Sequence, residues 1–282
     1  METVLVCRRR SVLPLARAAL GSDRMPQDSE LFAGRTAVVT GGARGLGFAM
    51  AEALAAHGAD VALLDRLETV EASAGRLVDS SGVRAVGVRV DVTDQDSVNR
   101  AFAAVGDQLG VPTVLINAAG IALGGKAINT RVAEWKQVLD VNLTGTFLTC
   151  QAFARGAVGA KLPATIVNIS SMSGFIVNVP QEQAAYNVSK AGVAMLTKSL
   201  AVEWLPLGIR VNSIAPGYFA SDMTRSVAEA DPDMAAGWVS RIPAGRMGEP
   251  AELGDLAVYL ASERSRYMVG QNVLIDGGYT IV

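Results

Sequence analysis

From Arg35 onward the chain alternates short runs rich in β-branched residues with longer stretches in which apolar residues recur every three or four positions. The runs "TAVVT" (36–40), "DVALL" (60–64), "AVGVRV" (85–90) and "TVLIN" (113–117) predict four strands. "TIVNIS" (165–170), "RVNSIA" (210–215) and "NVLID" (272–276) predict three more. Stretches such as "LGFAMAEALAAHG" and "DSVNRAFAAVGDQL" lie between them and predict helices, mostly closed by glycine. Strands that are apolar along their whole length and separated by helices belong to a parallel sheet covered on both faces. Right-handed crossovers then give an α/β, doubly wound sheet of about seven strands, with its ligand site at the C-terminal strand edges.

No repeat or low-complexity linker interrupts residues 32–282, which are expected to form a single domain. Residues 1–31 differ. Their first 24 carry five arginines against Glu2 and Asp23, and a second methionine, Met25, follows. An arginine-rich, acid-poor leader resembles a transit peptide. The preferred reading is a disordered extension or a start assigned too early, so a cytoplasmic protein is expected, with organellar targeting by residues 1–24 as the alternative.

Composition narrows the chemistry. Half of the 282 residues are hydrophobic, 18% are charged and the formal net charge is −2, so no basic field exists for a nucleic acid partner. No apolar stretch reaches the roughly 18 residues of a membrane span. Cys7 and Cys150 show no metal-ligand spacing, and no metal is expected. The single histidine, His57, precedes a glycine and suits a helix C-terminus, which nearly excludes Ser-His-Asp chemistry.

The first predicted strand runs into "TGGARGLG", with Gly41, Gly45 and Gly47 ahead of a helix. Such a turn lets the backbone approach a pyrophosphate at a helix N-terminus, although a tight connection explains it equally well. The second strand ends at Asp65, whose carboxylate can accept from both adenosine ribose hydroxyls or can merely cap a helix. Arg44 and Arg66 can attract a 2′-phosphate. Asp65 outweighs them, so NAD is expected over NADP.

"AAYNVSKAGVAML" places Tyr186 and Lys190 one helical turn apart. A surface pair is the plain reading, and an ammonium that tunes a phenol for proton transfer is the sharper one. Lowering a phenol from about 10 to about 7 needs roughly 4 kcal/mol of preferential phenolate stabilisation.

In order along residues 32–282, "TGGARGLG", "DVTD", "NAAG", "DVNLTG", "NISSMSG", "YNVSK" and "APG" resemble the short-chain dehydrogenase/reductase family. The resemblance implies a Rossmann-type fold and nicotinamide-dependent oxidoreduction. It implies that Gly41, Arg44, Gly45, Leu46, Gly47, Asp65, Asp91, Val92, Asn117 and Gly120 hold the cofactor. Pro216, Gly217, Phe219 and Ser221 are expected around the nicotinamide. Tyr186 becomes the acid/base, Lys190 also binds the nicotinamide ribose, and Asn142 holds a water beside the lysine. A gap of 13 before the tyrosine selects Ser173 as the polarising serine, whereas its place as the second serine after the strand selects Ser171, which is preferred.

The segment "SMSGFIVNVPQEQAAYNVSK" resembles polyol and ketose reductases of the family, of sorbose, mannitol and galactitol type. Ser171, Asn178 and Tyr186 are the expected substrate contacts, and Gln181 and Gln183 can also bind hydroxyls. Solvent-facing polarity is the alternative for the three amides. A polyol/ketose pair is therefore the expected substrate, with a 3-oxoacyl carrier-protein reductase or a non-catalytic NAD-sensing protein as alternatives. Apolar residues on more than one face of the helices around "NLTGTFLTCQAFARGAV" and "YNVSKAGVAMLTKSLAVEW" lead to an expected homotetramer, with a dimer possible.

Overall fold

The computed structural model describes residues 28–282, except the side chains of Met223 and of residues 226–228. The arginine-rich leader and Cys7 lie outside the described residues.

Seven parallel strands form one sheet in the order β3-β2-β1-β4-β5-β6-β7. They are β1 (Thr36–Thr40), β2 (Asp60–Asp65), β3 (Ala85–Arg89), β4 (Val114–Asn117), β5 (Ala164–Ile169), β6 (Ile209–Pro216) and β7 (Asn272–Ile275). The chain winds outward from β1 to β3, returns to β4 beside β1, and winds outward the other way. The strand order therefore reverses between β1 and β4, where the crossovers leave opposite faces and a crevice opens at the C-terminal edge. Thr40 pairs with Asn117 across that point.

The strands are apolar along their length because both faces are covered. Val39, Leu63 and Ile116 pack against Met50 and Leu54 of α1 (Gly45–Ala56), Leu77 of α2 (Val70–Ser81) and Leu253 of α9 (Pro250–Ala261). Val38, Leu64 and Leu115 face the other way, onto Val98 and Val105 of α3 (Gln95–Leu109), Phe153 of α5 (Gly145–Ala160) and Leu200 of α6 (Ala184–Trp204). Each such side chain contributes about 1.5–3 kcal/mol by leaving water. Adjacent residues of one strand thus serve opposite cores, which is the two-residue period of the pleat.

Helix α4 (Val132–Leu139) joins α5 through a π-helical turn at Asp140–Thr144, which carries Asn142. Such turns occur mostly as single bulges, often at functional sites. Helices α7 (Asp222–Ala230) and α8 (Pro232–Ser240) stand apart from the sheet and roof its C-terminal edge. His57 ends α1 as expected, its Nδ1 donating to the Ala53 carbonyl at 2.7 Å. Ahead of the expected domain start, Asp28–Glu30 form a 3₁₀ turn, Leu31 packs on the core and Asp28 pairs with Arg264.

No helix among the described residues is long and apolar enough to cross a membrane. Among the same residues no group of three or more His, Cys, Asp or Glu side chains can hold a metal ion.

Candidate active site

A cleft of about 1060 Å³ follows the C-terminal strand edges under α7 and α8. One end is built from the glycine turn. Gly41 and Gly45 have φ of +65° and +59°, backbone that residues with a Cβ rarely adopt. A Cβ on Gly47 would lie 2.1 Å from the Gly41 carbonyl oxygen, so the first turn of α1 sits directly on the loop before it. Arg44 at the N-cap makes no side-chain cap, and the first turn of α1 contains no acidic residue. Its amides and the positive end of the helix dipole are thus left for an anion in the cleft. Arg44, Gly45 and Leu46 line it there.

Asp65 closes this end and also braces the loop. Its Oδ2 accepts from the Ala43 amide and its Oδ1 from the Leu67 amide, each at 3.0 Å. It is not the N-cap of α2, which is Thr69, so the helix-cap alternative fails. Each carboxylate oxygen keeps a second lone pair for a ribose hydroxyl. Arg44 and Arg66 are exposed beside it and line the same end. Asp91 and Val92 form the next part of the wall. The Thr93 hydroxyl and amide hold the Asp91 carboxyl below its ordinary pKa.

Asn117 does not line the cleft. At the end of β4 its side chain turns into the sheet, where Nδ2 donates to Asn168 Oδ1 at 2.9 Å and to Cys150 Sγ at 3.1 Å. Thr149 donates to its Oδ1 at 2.7 Å. The expectation that it contacts cofactor is corrected: its place is a buried polar network behind the wall. That network does not keep the Cys150 thiol acidic, since burial pushes it up to about 12. Gly120 does line the cleft, because a Cβ there would meet Asn142 Oδ1 at 3.3 Å and Lys190 Nζ at 3.4 Å.

Tyr186, Lys190 and Ser171 converge at the centre. The first two lie on one face of α6. Ser171 follows β5, and its side chain lies near enough to the Tyr186 phenol to favour the phenolate. Ser173 is directed elsewhere, with its Oγ donating to Asn178 Oδ1 at 2.7 Å. The geometry favours Ser171 over the serine selected by spacing, and the extra residues lie in the loop before α6.

Lys190 is 5% exposed; its Nζ donates to the Ile169 carbonyl at 2.8 Å and stands 5.7 Å from the Tyr186 ring centre. Burial brings its pKa down to about 8. Burial raises the Tyr186 pKa, and among the chain's own groups only the nearby Ser171 side chain opposes it. The simple expectation that the lysine lowers the phenol is therefore corrected: among the chain's own groups, desolvation outweighs it. Asn142 is fully buried behind this pair. It exchanges hydrogen bonds with the Ile121 backbone at 2.8 and 2.9 Å and donates to Ser189 at 3.0 Å. Ser189 in turn donates to the Tyr186 carbonyl, so the π-helical turn braces α6 at the face that carries Tyr186 and Lys190.

Pro216, Gly217, Phe219 and Ser221 follow β6 along the opposite wall, where Thr224 binds both the Phe219 carbonyl and Ser221. The third part is an aromatic and amide cluster. Tyr218 stacks on Trp238 of α8 at 4.5 Å and meets Tyr279 edge-on at 5.4 Å. Asn178 and Gln181 donate to the Tyr218 hydroxyl at 3.3 and 2.7 Å. Asn178 is 2% exposed and Gln181 and Gln183 are half-buried, so the three amides are not solvent-facing polarity. Tyr218, Thr224 and Trp238 were not expected from the sequence. Trp238 reaches the cleft through α8, by stacking on Tyr218.

Residues 41–280 match the family model described as enoyl-(acyl carrier protein) reductase, a branch of the short-chain dehydrogenases. The chain belongs to the short-chain dehydrogenase/reductase family. Members of this family are oxidoreductases that use nicotinamide cofactors. The chain is 42% identical over 251 residues to galactitol 2-dehydrogenase (L-tagatose-forming) of Cereibacter sphaeroides, covering 88% of this chain and 96% of that protein. It is 36% identical to an NADH-dependent L-xylulose reductase of Ambrosiozyma monospora, covering 88% and 96%. Among solved structures, an NADPH-dependent 3-quinuclidinone reductase from Rhodotorula rubra superposes with a TM-score of 0.84 at 34% identity, covering 94% and 99%.

Proposed function

We propose that this short-chain dehydrogenase interconverts a polyol and the corresponding ketose with NAD(H). The observation that carries the reading is the convergence of Ser171, Tyr186 and Lys190 at the centre of a cleft whose one end is lined by hydrogen-bonding amides. The residues fit a dinucleotide: an uncapped helix N-terminus, no room for a Cβ at Gly47, and a carboxylate at the adenosine end. Gly41, Arg44, Gly45, Leu46 and Gly47 would hold the pyrophosphate, Asp65, Asp91 and Val92 the adenosine. Gly120, Lys190, Pro216, Gly217, Phe219 and Ser221 would hold the nicotinamide half.

When bound, the nicotinamide supplies the hydride acceptor or donor. Ser171 donates to the substrate oxygen and steadies its developing charge. Tyr186 takes the hydroxyl proton during oxidation and returns it during reduction. Lys190, protonated below about pH 8, holds a positive charge one turn from the phenol, where it would meet the nicotinamide ribose. Asn142 positions α6 and the lysine.

NAD is preferred because Asp65, fixed by two amides, presents a like charge to a 2′-phosphate. A polyol/ketose pair is preferred because the amides at the substrate end suit several hydroxyls better than an acyl chain, and because the galactitol and xylulose enzymes are relatives of this chain. The test is a panel of polyols, ketoses and a 3-oxoacyl thioester with each nicotinamide form; activity confined to the thioester would overturn the substrate reading.

We also propose a homotetramer. Val188, Met195 and Val202 stand seven residues apart on α6 and are 49, 60 and 77% exposed. This stripe, continued by Phe147 of α5, suits packing against a symmetry mate. The exposed Ile281 and Val282 suit a second interface.

A further inference from the structure

Three buried polar side-chain atoms have no hydrogen-bond partner among the described residues: Thr165 Oγ1, Gln181 Oε1 and Trp238 Nε1. An atom cut off from water and left unpaired carries its full desolvation cost, so native proteins leave few of them. Thr165 lies in β5 away from the cleft, whereas Gln181 and Trp238 both line its substrate end.

The two flank one ring. Trp238 stacks on Tyr218 with the planes 11° apart, and Gln181 donates its Nε2 to the Tyr218 hydroxyl, which turns Oε1 away from that bond. Tyr218 is itself fixed by Asn178 and by the edge-on ring of Tyr279. Burial pushes the Tyr218 phenol up to about 12, so it stays neutral and the arrangement does not change across the physiological range. Asn178 is engaged at both ends, by Ser173 and Tyr218, and so acts as a brace. What remains is one unpaired acceptor and one unpaired donor on either side of an aromatic wall. A hydroxyl both donates and accepts, and the C–H face of a hydroxylated chain can lie against the rings.

We propose that Gln181 Oε1 and Trp238 Nε1 read hydroxyl groups on the substrate chain away from the reacting carbon, selecting polyhydroxylated substrates over alkyl alcohols. The assignment rests on the polyol reading above and adds these two atoms to Asn178, the expected hydroxyl contact.

The test compares a hexitol with 2,3-butanediol, which keeps a reacting carbinol and one neighbour but has methyl groups in place of the distal hydroxyls. Wild type, Trp238→Phe and Gln181→Leu are assayed for kcat/KM on both, with the unfolding midpoint measured alongside. Phenylalanine keeps a ring on Tyr218 and removes only the N–H. Each variant should lower the hexitol-to-diol ratio about 10- to 100-fold, mostly through KM, the scale of one lost substrate hydrogen bond. A merely structural role would lower both substrates alike and leave the ratio unchanged. If Trp238→Phe fails to fold, Gln181→Leu decides the matter. Folded variants that keep the ratio within about twofold of an active wild type overturn this assignment alone. A wild type that uses alkyl alcohols and no polyol overturns the polyol reading, and this assignment with it.

Discussion

Replacing Lys190 with methionine should make the protein more stable at neutral pH while removing its activity. The ammonium is buried, and its pKa falls from 10.5 to about 8 because burial disfavours the charged form. Below pH 8 the fold therefore carries a cost of about 3.5 kcal/mol, at about 1.4 kcal/mol per pKa unit. The unfolded chain binds the proton more tightly, so this cost is present below the folded pKa and is relieved as pH rises from about 8 to 10.5. Methionine fills similar volume without the charge. It forfeits the hydrogen bond to the Ile169 carbonyl, worth about 1 kcal/mol. The net gain at pH 7 is about 2.5 kcal/mol, or roughly 5–10 °C in midpoint for a domain of this size. Urea unfolding of both proteins without cofactor, at pH 7 and at about pH 9.5, gives the comparison. The variant's advantage should shrink to near zero at the higher pH, because only the wild type titrates there. A variant less stable than wild type at pH 7, with a parallel pH dependence, would refute the desolvation argument. Such a lysine would be held for its contribution to packing.

Other perturbations separate the roles of the neighbouring residues. Tyr186→Phe should lower kcat at least about 100-fold while leaving NAD(H) binding, read by fluorescence titration, largely intact; more than about a tenth of wild-type kcat would remove the tyrosine from proton transfer. Ser171→Ala should lower kcat well beyond Ser173→Ala, because Ser171 acts on the phenol whereas Ser173 is engaged with Asn178; the reverse ranking would restore the spacing rule. Asp65→Ala should weaken NAD(H) and improve relative use of NADP(H), and a wild type that already prefers NADPH would show that Arg44 and Arg66 dominate that end. Sedimentation of the chain starting at Met25 should give a tetramer, and a fully active monomer at micromolar concentration would contradict the interface reading.

Much of the site is legible because the sheet's period and the glycine turn are local properties. The seven strands lie where the apolar runs place them, within a residue or two at each end. Ser171 is distinguished from Ser170 by alternation: Ser170 turns to the Ile214 carbonyl and Asn272, so the next residue faces the cleft. Asn117 shows the limit of a motif read in one dimension, since its side chain answers to Cys150 and Asn168 on other elements. The direction of the Tyr186 shift was equally hidden, because it depends on how deeply α6 sinks against β5. Trp238 and Gln181 lie 57 residues apart in sequence and meet only through Tyr218.

The central claim is that a carbinol hydrogen of a polyol passes to the nicotinamide at the site built by Ser171, Tyr186 and Lys190. It is tested most directly by incubating the enzyme with NAD and a hexitol deuterated at its secondary carbinol carbons, then examining the reduced nicotinamide by NMR. The account predicts deuterium on the nicotinamide ring with wild type and none with Tyr186→Phe in the same time. Reduced nicotinamide without deuterium, or deuterium transfer undiminished in the Tyr186→Phe variant, would contradict it.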